Sequence, residues 1–182
     1  MEFNLASRET IFSSLMPNGI GAEIGVDAGD FSESILQNAK PKLLYLIDCW
    51  ETQSVEAYGH DPANKIQRLK DHAYNQVFRR FLAFDSVRVI KGYSEFVSTL
   101  FPDGFFDWLY IDANHLQCYA DLKVWWSKIK LGGYMMGHDY VKGGVGDFIT
   151  VADDVDKFVA EMNLQMLLTD DVSYKNYIIQ KV

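Results

Sequence analysis

Short apolar runs bounded by turn residues alternate with segments of helical period along most of the chain, a pattern that restricts the fold to a parallel sheet flanked by helices. Strands are predicted at residues 21–26, 43–48, 87–91, 108–112 and 134–138, with helices at 30–38, 65–84, 94–100, 115–130 and 152–162. A further helix is expected over 7–15. The segment 115–130 has the clearest period, since Cys118, Leu122, Trp125, Trp126 and Ile129 share one helical face, a stripe that reads as core. Near the C-terminus the alternation breaks: runs 164–169 and 174–180 are joined by Asp170-Asp171-Val172-Ser173, with no room for a crossover helix. These two runs must pair antiparallel. The expected architecture is α/β, a doubly wound and mostly parallel sheet closed by a C-terminal antiparallel hairpin. With 182 residues, 48% of them hydrophobic, the chain has the size of a single domain over residues 1–182.

The first strand runs into Gly21-Ala22-Glu23-Ile24-Gly25-Val26-Asp27-Ala28-Gly29-Asp30, where an acidic residue and a glycine turn lead directly into a helix. Gly25 and Gly29 let backbone approach a ligand where a Cβ would clash, and the opening amides of the helix offer partial positive charge. A dinucleotide turn requires G-x-G-x-x-G around a pyrophosphate. Here Glu23 precedes the turn and would repel phosphate, so Glu23, Gly25, Asp27 and Gly29 suit a cationic or hydroxyl-rich cofactor. The same glycine spacing also occurs in plain strand-to-helix packing.

In an open parallel sheet a ligand sits beyond the carboxyl ends of the strands. The second strand ends Asp48-Cys49-Trp50, where Asp48 suits either a ribose diol or a turn cap, and Trp50 either an adenine face or the core. At the end of the fourth strand stand Asp112-Ala113-Asn114-His115, and at the end of the fifth His138-Asp139-Tyr140. Asp112 offers hard oxygen ligands to a divalent metal, while His115, expected to open the next helix, can accept a hydroxyl proton at neutral pH. Asp112 and Asp139 in one cleft would repel each other, and a bound Mg²⁺ would relieve that.

The glycine turn resembles the first motif of class I S-adenosylmethionine-dependent methyltransferases, whose Rossmann-like fold also ends in an antiparallel hairpin. More narrowly, I-D-x-x-H followed by G-G and H-D-Y, over about residues 20–140, is similar to the small family that includes macrocin-type sugar O-methyltransferases. That resemblance implies S-adenosylmethionine as cofactor, Ser94 near the adenine, Asp112 as a metal ligand and His115 as the base. An acidic pair after the fifth strand would complete the metal site. The chain departs from the pattern there: His138 takes the first position of the pair and leaves Asp139 as the clear acid, so the ligand set becomes Asp112, His138 and Asp139. For Ser94 a helix N-cap remains the alternative. The implied activity is methylation of a hydroxyl on a small molecule, a sugar among the candidates. A metal-independent reaction with His115 as sole base stays open.

The formal net charge of −8 disfavours nucleic acid and anionic membranes as partners, and the basic group within 65–80 is diluted by Asp71. No apolar run is long enough to span a membrane, and the first residues lack the features of a signal peptide, so a cytoplasmic protein is expected. Self-association as a homo-oligomer stays open. Cys49 and Cys118 read as reduced packing residues. Residues 51–64 are long for a connection and form a candidate lid, and the glycine-rich loop 142–147, lacking G-K-[S/T], reads as a rim of the substrate site. Two other classes compete: a nicotinamide oxidoreductase, disfavoured by the missing third glycine, and a cofactor-binding module, which would have no use for Asp112, His115 and Asp139 together.

Overall fold

The computed structural model describes residues 3–15, 18–54, 56–59, 61–145 and 149–182. The elements run in the order α1 (Thr10–Ser13), β1 (Ile20–Ile24), α2 (Asp30–Ala39), β2 (Leu43–Asp48), a 3₁₀ turn (Glu56–Tyr58), α3 (Gln67–Phe81), β3 (Val87–Lys91), α4 (Ser94–Ser98), β4 (Phe106–Ile111), α5 (Cys118–Trp126), β5 (Ile129–Tyr140), α6 (Val151–Glu161), β6 (Met166–Leu168) and β7 (Lys175–Gln180). The strands form a seven-stranded sheet in the order β3-β2-β1-β4-β5-β7-β6. β1 pairs in parallel with β2 and β4, β2 with β3, and β4 with β5, whereas β7 runs antiparallel to both β5 and β6.

Two departures from the expected elements have local causes. The helix expected over 115–130 is confined to Cys118–Trp126, because the chain from Ile129 onward pairs with β4 and extends β5 to twelve residues. Ile129 is therefore buried as a strand residue, while Cys118, Leu122 and Trp125 keep the apolar helical face. The N-terminal helix is likewise shortened, to Thr10–Ser13.

Side chains alternate across each strand, so the sheet builds a core on each face. Trp108 and Tyr110 of β4 face α1, α2 and α3 together with Phe12, Ile35, Val77 and Phe81. Leu109 and Ile111 face α5 and α6 together with Leu122, Trp125, Val155 and Phe158. The N-terminal segment belongs to this packing. Phe12 has no exposed surface and lies 5.5 Å from Trp108, 5.3 Å from Tyr110 and 5.7 Å from Phe31, between ring centroids. Phe3 packs edge-on against Tyr134 at 5.0 Å, and the Asp170 amide donates to the Leu5 carbonyl at 2.7 Å.

Phe12→Ala should therefore cost about 3–5 kcal/mol in urea unfolding, the effect of a core residue. A loss below about 1 kcal/mol, within the range of a surface substitution, would make residues 3–15 an accessory arm.

Candidate active site

Parallel pairing aligns Ile24 with Ile47 and with Ile111, so β1, β2 and β4 end at the same level. Their terminal side chains share one rim. The Asp112 amide donates to the Ile24 carbonyl at 2.7 Å and the Gly25 amide to the Ile47 carbonyl at 2.9 Å, closing the last rungs. Gly25 then turns at φ 93°, and a Cβ there would lie 2.1 Å from the Asp112 carbonyl oxygen. Beyond this rim opens a cleft of about 730 Å³, lined from the ends of β1 to β5 and from the N-terminal segment. That is room for a cofactor and a small acceptor.

On the β1–β3 side the acids are held by specific partners. Glu23 is buried and accepts a short hydrogen bond from the Ser32 hydroxyl of α2; burial pushes its carboxyl up to about 8. An arriving ammonium would restore its charge. Asp27, at φ 44°, pairs with Lys65 at 2.5 Å through Oδ2, while its Oδ1 is buried without a partner among the described residues. Asp48 lines the cleft and also braces the turn: Oδ2 accepts from the Val26 and Asp27 amides at 2.9 Å each, and Oδ1 from the Trp50 amide at 2.7 Å.

Two residues expected at the cofactor do not reach it. Gly29 turns at φ 80°, and a Cβ there would meet Val77 Cγ2 at 2.9 Å and Phe81 Cε2 at 3.2 Å, so it serves the close packing of α2 on α3. Trp50 has no exposed surface, lies 5.0 Å from the Tyr74 ring and donates its indole N–H to the Asp27 carbonyl at 2.8 Å. It stands behind the cleft wall and supports the turn. Ser94, by contrast, lines the cleft at the start of α4 and makes no side-chain cap bond. Its hydroxyl donates to Asp121 and accepts from the Trp125 indole N–H at 2.8 Å. Asp121, one position before the core residue Leu122, is itself buried, and burial raises its carboxyl to about 6.

On the β4–β5 side a compact cluster surrounds one imidazole. His115 Nε2 lies 3.0 Å from Asp139 Oδ2 and 3.9 Å from Asp112 Oδ1, and Nδ1 lies 3.3 Å from Asp61 Oδ2. Burial lowers the His115 pKa, but the carboxylates of Asp112 and Asp139 overcome it and raise the pKa to about 10. Asp139, in turn, is raised by burial and lowered more strongly by His115 and His138, which hold it well below the usual carboxylate range. His138 Nδ1 is 3.0 Å from Asp139 Oδ1 and 3.9 Å from Asp112 Oδ1. One ligand atom from each of Asp112, His138 and Asp139 falls within 4.8 Å of the others, a spacing that fits one cation.

His115 does not open a helix. Asn114 Oδ1 accepts from the amides of Leu116 and Gln117 at 3.1 and 3.0 Å, so the chain makes a side-chain-capped turn and α5 starts only at Cys118. The connection 51–64 reaches over this turn: the Tyr58 hydroxyl donates to Asn114 Oδ1 at 2.9 Å, and Gln53, Asp61 and Asn64 line the cleft. Val55 and His60 of that connection lie outside the described residues, as do Gly146 and Asp147 of the glycine-rich loop. The described part of that loop, 142–145, does not line the cleft. Arg8, absent from the expected site, reaches into the cleft and pairs with Asp112 at 2.7 Å. Cys49 is half-buried and Cys118 buried, both as free thiols.

No helix among the described residues is long and apolar enough to cross a membrane. The family model described as "Methyltransferase domain" matches residues 22–140, which contain Glu23, the glycine turn, Asp48, Asp112, His115, His138 and Asp139. No curated protein sequence matches the chain. Among solved structures, an S-adenosylmethionine-dependent methyltransferase from Aquifex aeolicus superposes with a TM-score of 0.63 at 13% identity, covering 93% of this chain and 86% of that one. A protein provisionally assigned as a caffeoyl-CoA O-methyltransferase, from Staphylococcus aureus, gives 0.62 at 14% identity over 90% and 77%. An rRNA methylase from Streptococcus thermophilus gives 0.63 at 9% identity over 94% and 92%. At these identities the likeness speaks for the fold. The match across residues 22–140, on a sheet of this order with its cleft at the strand ends, places the chain in the methyltransferase domain family as a class I S-adenosylmethionine-dependent methyltransferase.

Proposed function

We propose that the chain transfers the methyl group to a hydroxyl of a small molecule, with a divalent cation held by Asp112, His138 and Asp139. The observation that carries this reading is the 4.8 Å grouping of those three ligands with His115 Nε2 3.0 Å from Asp139, at the mouth of the cofactor cleft. The donor set of two carboxylates and one imidazole suits Mg²⁺ or Mn²⁺. The similarity to macrocin-type sugar O-methyltransferases supports a sugar or other hydroxylated metabolite as acceptor, and the net charge of −8 argues against a nucleic-acid substrate.

S-adenosylmethionine supplies an electrophilic methyl on a sulfonium, and a divalent cation would lower the pKa of an acceptor hydroxyl. Everything else falls to the chain. Glu23, Gly25, Asp27 and Asp48 present acceptors and close backbone to the cofactor; Ser94 and Asp121 form a polar end beside α4 and α5. His115 takes the acceptor proton at Nε2. Asp61 faces Nδ1 and fixes the ring so that Nε2 points at Asp139 and Asp112. Asp112 and Asp139 raise His115 to about 10 against the effect of burial, so without a cation the imidazole holds its proton at neutral pH. Asp112 and Asp139, if they held a cation, would no longer support the imidazolium, and His115 would be free to take a proton at neutral pH.

The Arg8–Asp112 ion pair favours one second reading, in which the guanidinium takes the place of a metal beside Asp112. Chelation separates the two. Methyl transfer from labelled S-adenosylmethionine to a panel of glycosides and catechols should yield O-methyl products; transfer only to nitrogen or carbon acceptors would contradict the hydroxyl assignment.

With an accepted substrate, EDTA should abolish turnover at pH 7, and Mn²⁺ or Mg²⁺ should restore it. The metal should also move the alkaline rise of the pH–rate profile downward from the neighbourhood of pH 10. Full turnover at pH 7 in EDTA would select the metal-independent reading. His115→Gln should lower turnover by about 10²- to 10⁴-fold while S-adenosylhomocysteine affinity and, in the metal-loaded protein, melting temperature stay near the parent values. Near-parental turnover would remove the proton transfer from His115.

A further inference from the structure

Arg8 comes from the segment before α1, far in sequence from the strand ends it meets. Its guanidinium carbon lies 3.5 Å from the Phe31 ring centroid and 5.4 Å from that of Tyr110, and its side chain is 24% exposed. The stacked position is held by Phe12 and Phe31 packing beneath it. Of five N–H donors, the guanidinium uses one among the described residues, from Nη2 to Asp112 at 2.7 Å. Its Nε is buried with no partner among the described residues. A cation so placed and so little satisfied is poised for a further anion, because a bidentate carboxylate pair is the strongest partner available to it.

The surroundings say which anion. Arg8, Glu23, Phe31 and Asp112 line the same part of the cleft, where β1 meets β4. Lys70 also lines the cleft, from α3, which packs beside β3. In sheet order, Ser94 and Asp121 lie toward β3 and the His115 cluster toward β5, so the β1–β4 junction is the ground between adenosine and acceptor. The methionyl tail of the cofactor carries an ammonium and a carboxylate on one carbon. A fixed guanidinium next to two carboxylates is the charge complement of that group.

We propose that Arg8 is the receptor for the α-carboxylate of S-adenosylmethionine, which makes it the residue that selects the intact amino-acid tail. The proposal rests on the cofactor assignment and adds a residue to it from outside the matched segment 22–140. Glu23 and Asp112 then face the ammonium, and the Arg8–Asp112 pair occupies the site when no cofactor does.

Calorimetry with two ligands tests this without any change to the protein. S-adenosylhomocysteine keeps the carboxylate; its decarboxylated analogue, adenosyl-3-thiopropylamine, keeps the amine and loses it. The parent chain should bind the decarboxylated analogue about 10- to 150-fold more weakly. Arg8→Met, which keeps an apolar stem on Phe31, should weaken S-adenosylhomocysteine by a similar factor and leave the analogue within about 2-fold of its parental affinity. Arg8→Lys should recover part of the loss. Equal affinity of the parent for both ligands would overturn the proposal, as would an equal loss of both in Arg8→Met, which would mark Arg8 as a support of the cleft or a contact for the acceptor. If the parent bound neither ligand, the cofactor assignment would fall along with it. The two-ligand comparison on the parent chain stands even if Arg8→Met does not fold.

Discussion

The last hydrogen bond of the β1–β4 ladder, from the Asp112 amide to the Ile24 carbonyl at 2.7 Å, fixes where the two halves of the cleft meet. It sets Asp112 at the level of the glycine turn, and Gly25 must be glycine because a Cβ would strike the Asp112 carbonyl. From that junction the cofactor half extends toward β3 and the reacting half toward β5. A parallel sheet delivers this arrangement automatically, since every strand ends on the same side.

What such an edge does not deliver is charge balance. Glu23, Asp27, Asp48, Asp61, Asp112, Asp121 and Asp139 all line one cleft. The chain meets the cost of their proximity in distinct ways. Glu23 and Asp121 are raised by burial, to about 8 and about 6, and each keeps a hydroxyl donor. Asp27 takes Lys65, and Asp48 takes three backbone amides. Asp112 and Asp139 draw on Arg8 and on the imidazoles of His115 and His138. The reacting half is thus the part whose charge is balanced by groups that can exchange: a guanidinium, a proton on His115, or a metal ion.

The parts of this scheme that follow strand ends were legible in the sequence. Asp48, Asp112, His138 and Asp139 each close an apolar run, and a parallel sheet leaves such residues no other place than the common rim. For Gly29 and Trp50 the sequence leaves a cofactor and a packing role open, because spacing locates a residue near the turn but does not say which way it faces. Packing against Val77 decides the first, and the core around Tyr74 the second. His115 was placed on a helix because Asn114, which caps the turn after β4 with its side chain, carries no periodic signal. Arg8 and Asp61 were illegible. Each meets its partner across a long separation, 104 residues for Arg8 and Asp112 and 54 for Asp61 and His115, and no local pattern encodes such a contact. Asp121 left a faint trace, an acid beside Leu122 in an otherwise apolar helix, but the apolar stripe of α5 masks it.

The central claim is that the acids at the ends of β4 and β5 form a cation site serving the reacting end of the cofactor cleft. A crystal structure of the chain with S-adenosylhomocysteine and Mn²⁺, read in anomalous scattering, tests it most directly. The account predicts one manganese peak ligated by Asp112, His138 and Asp139, with His115 free of the metal and its Nδ1 still facing Asp61. Manganese density elsewhere, or none while Arg8 still pairs with Asp112 beside a bound cofactor, would contradict it.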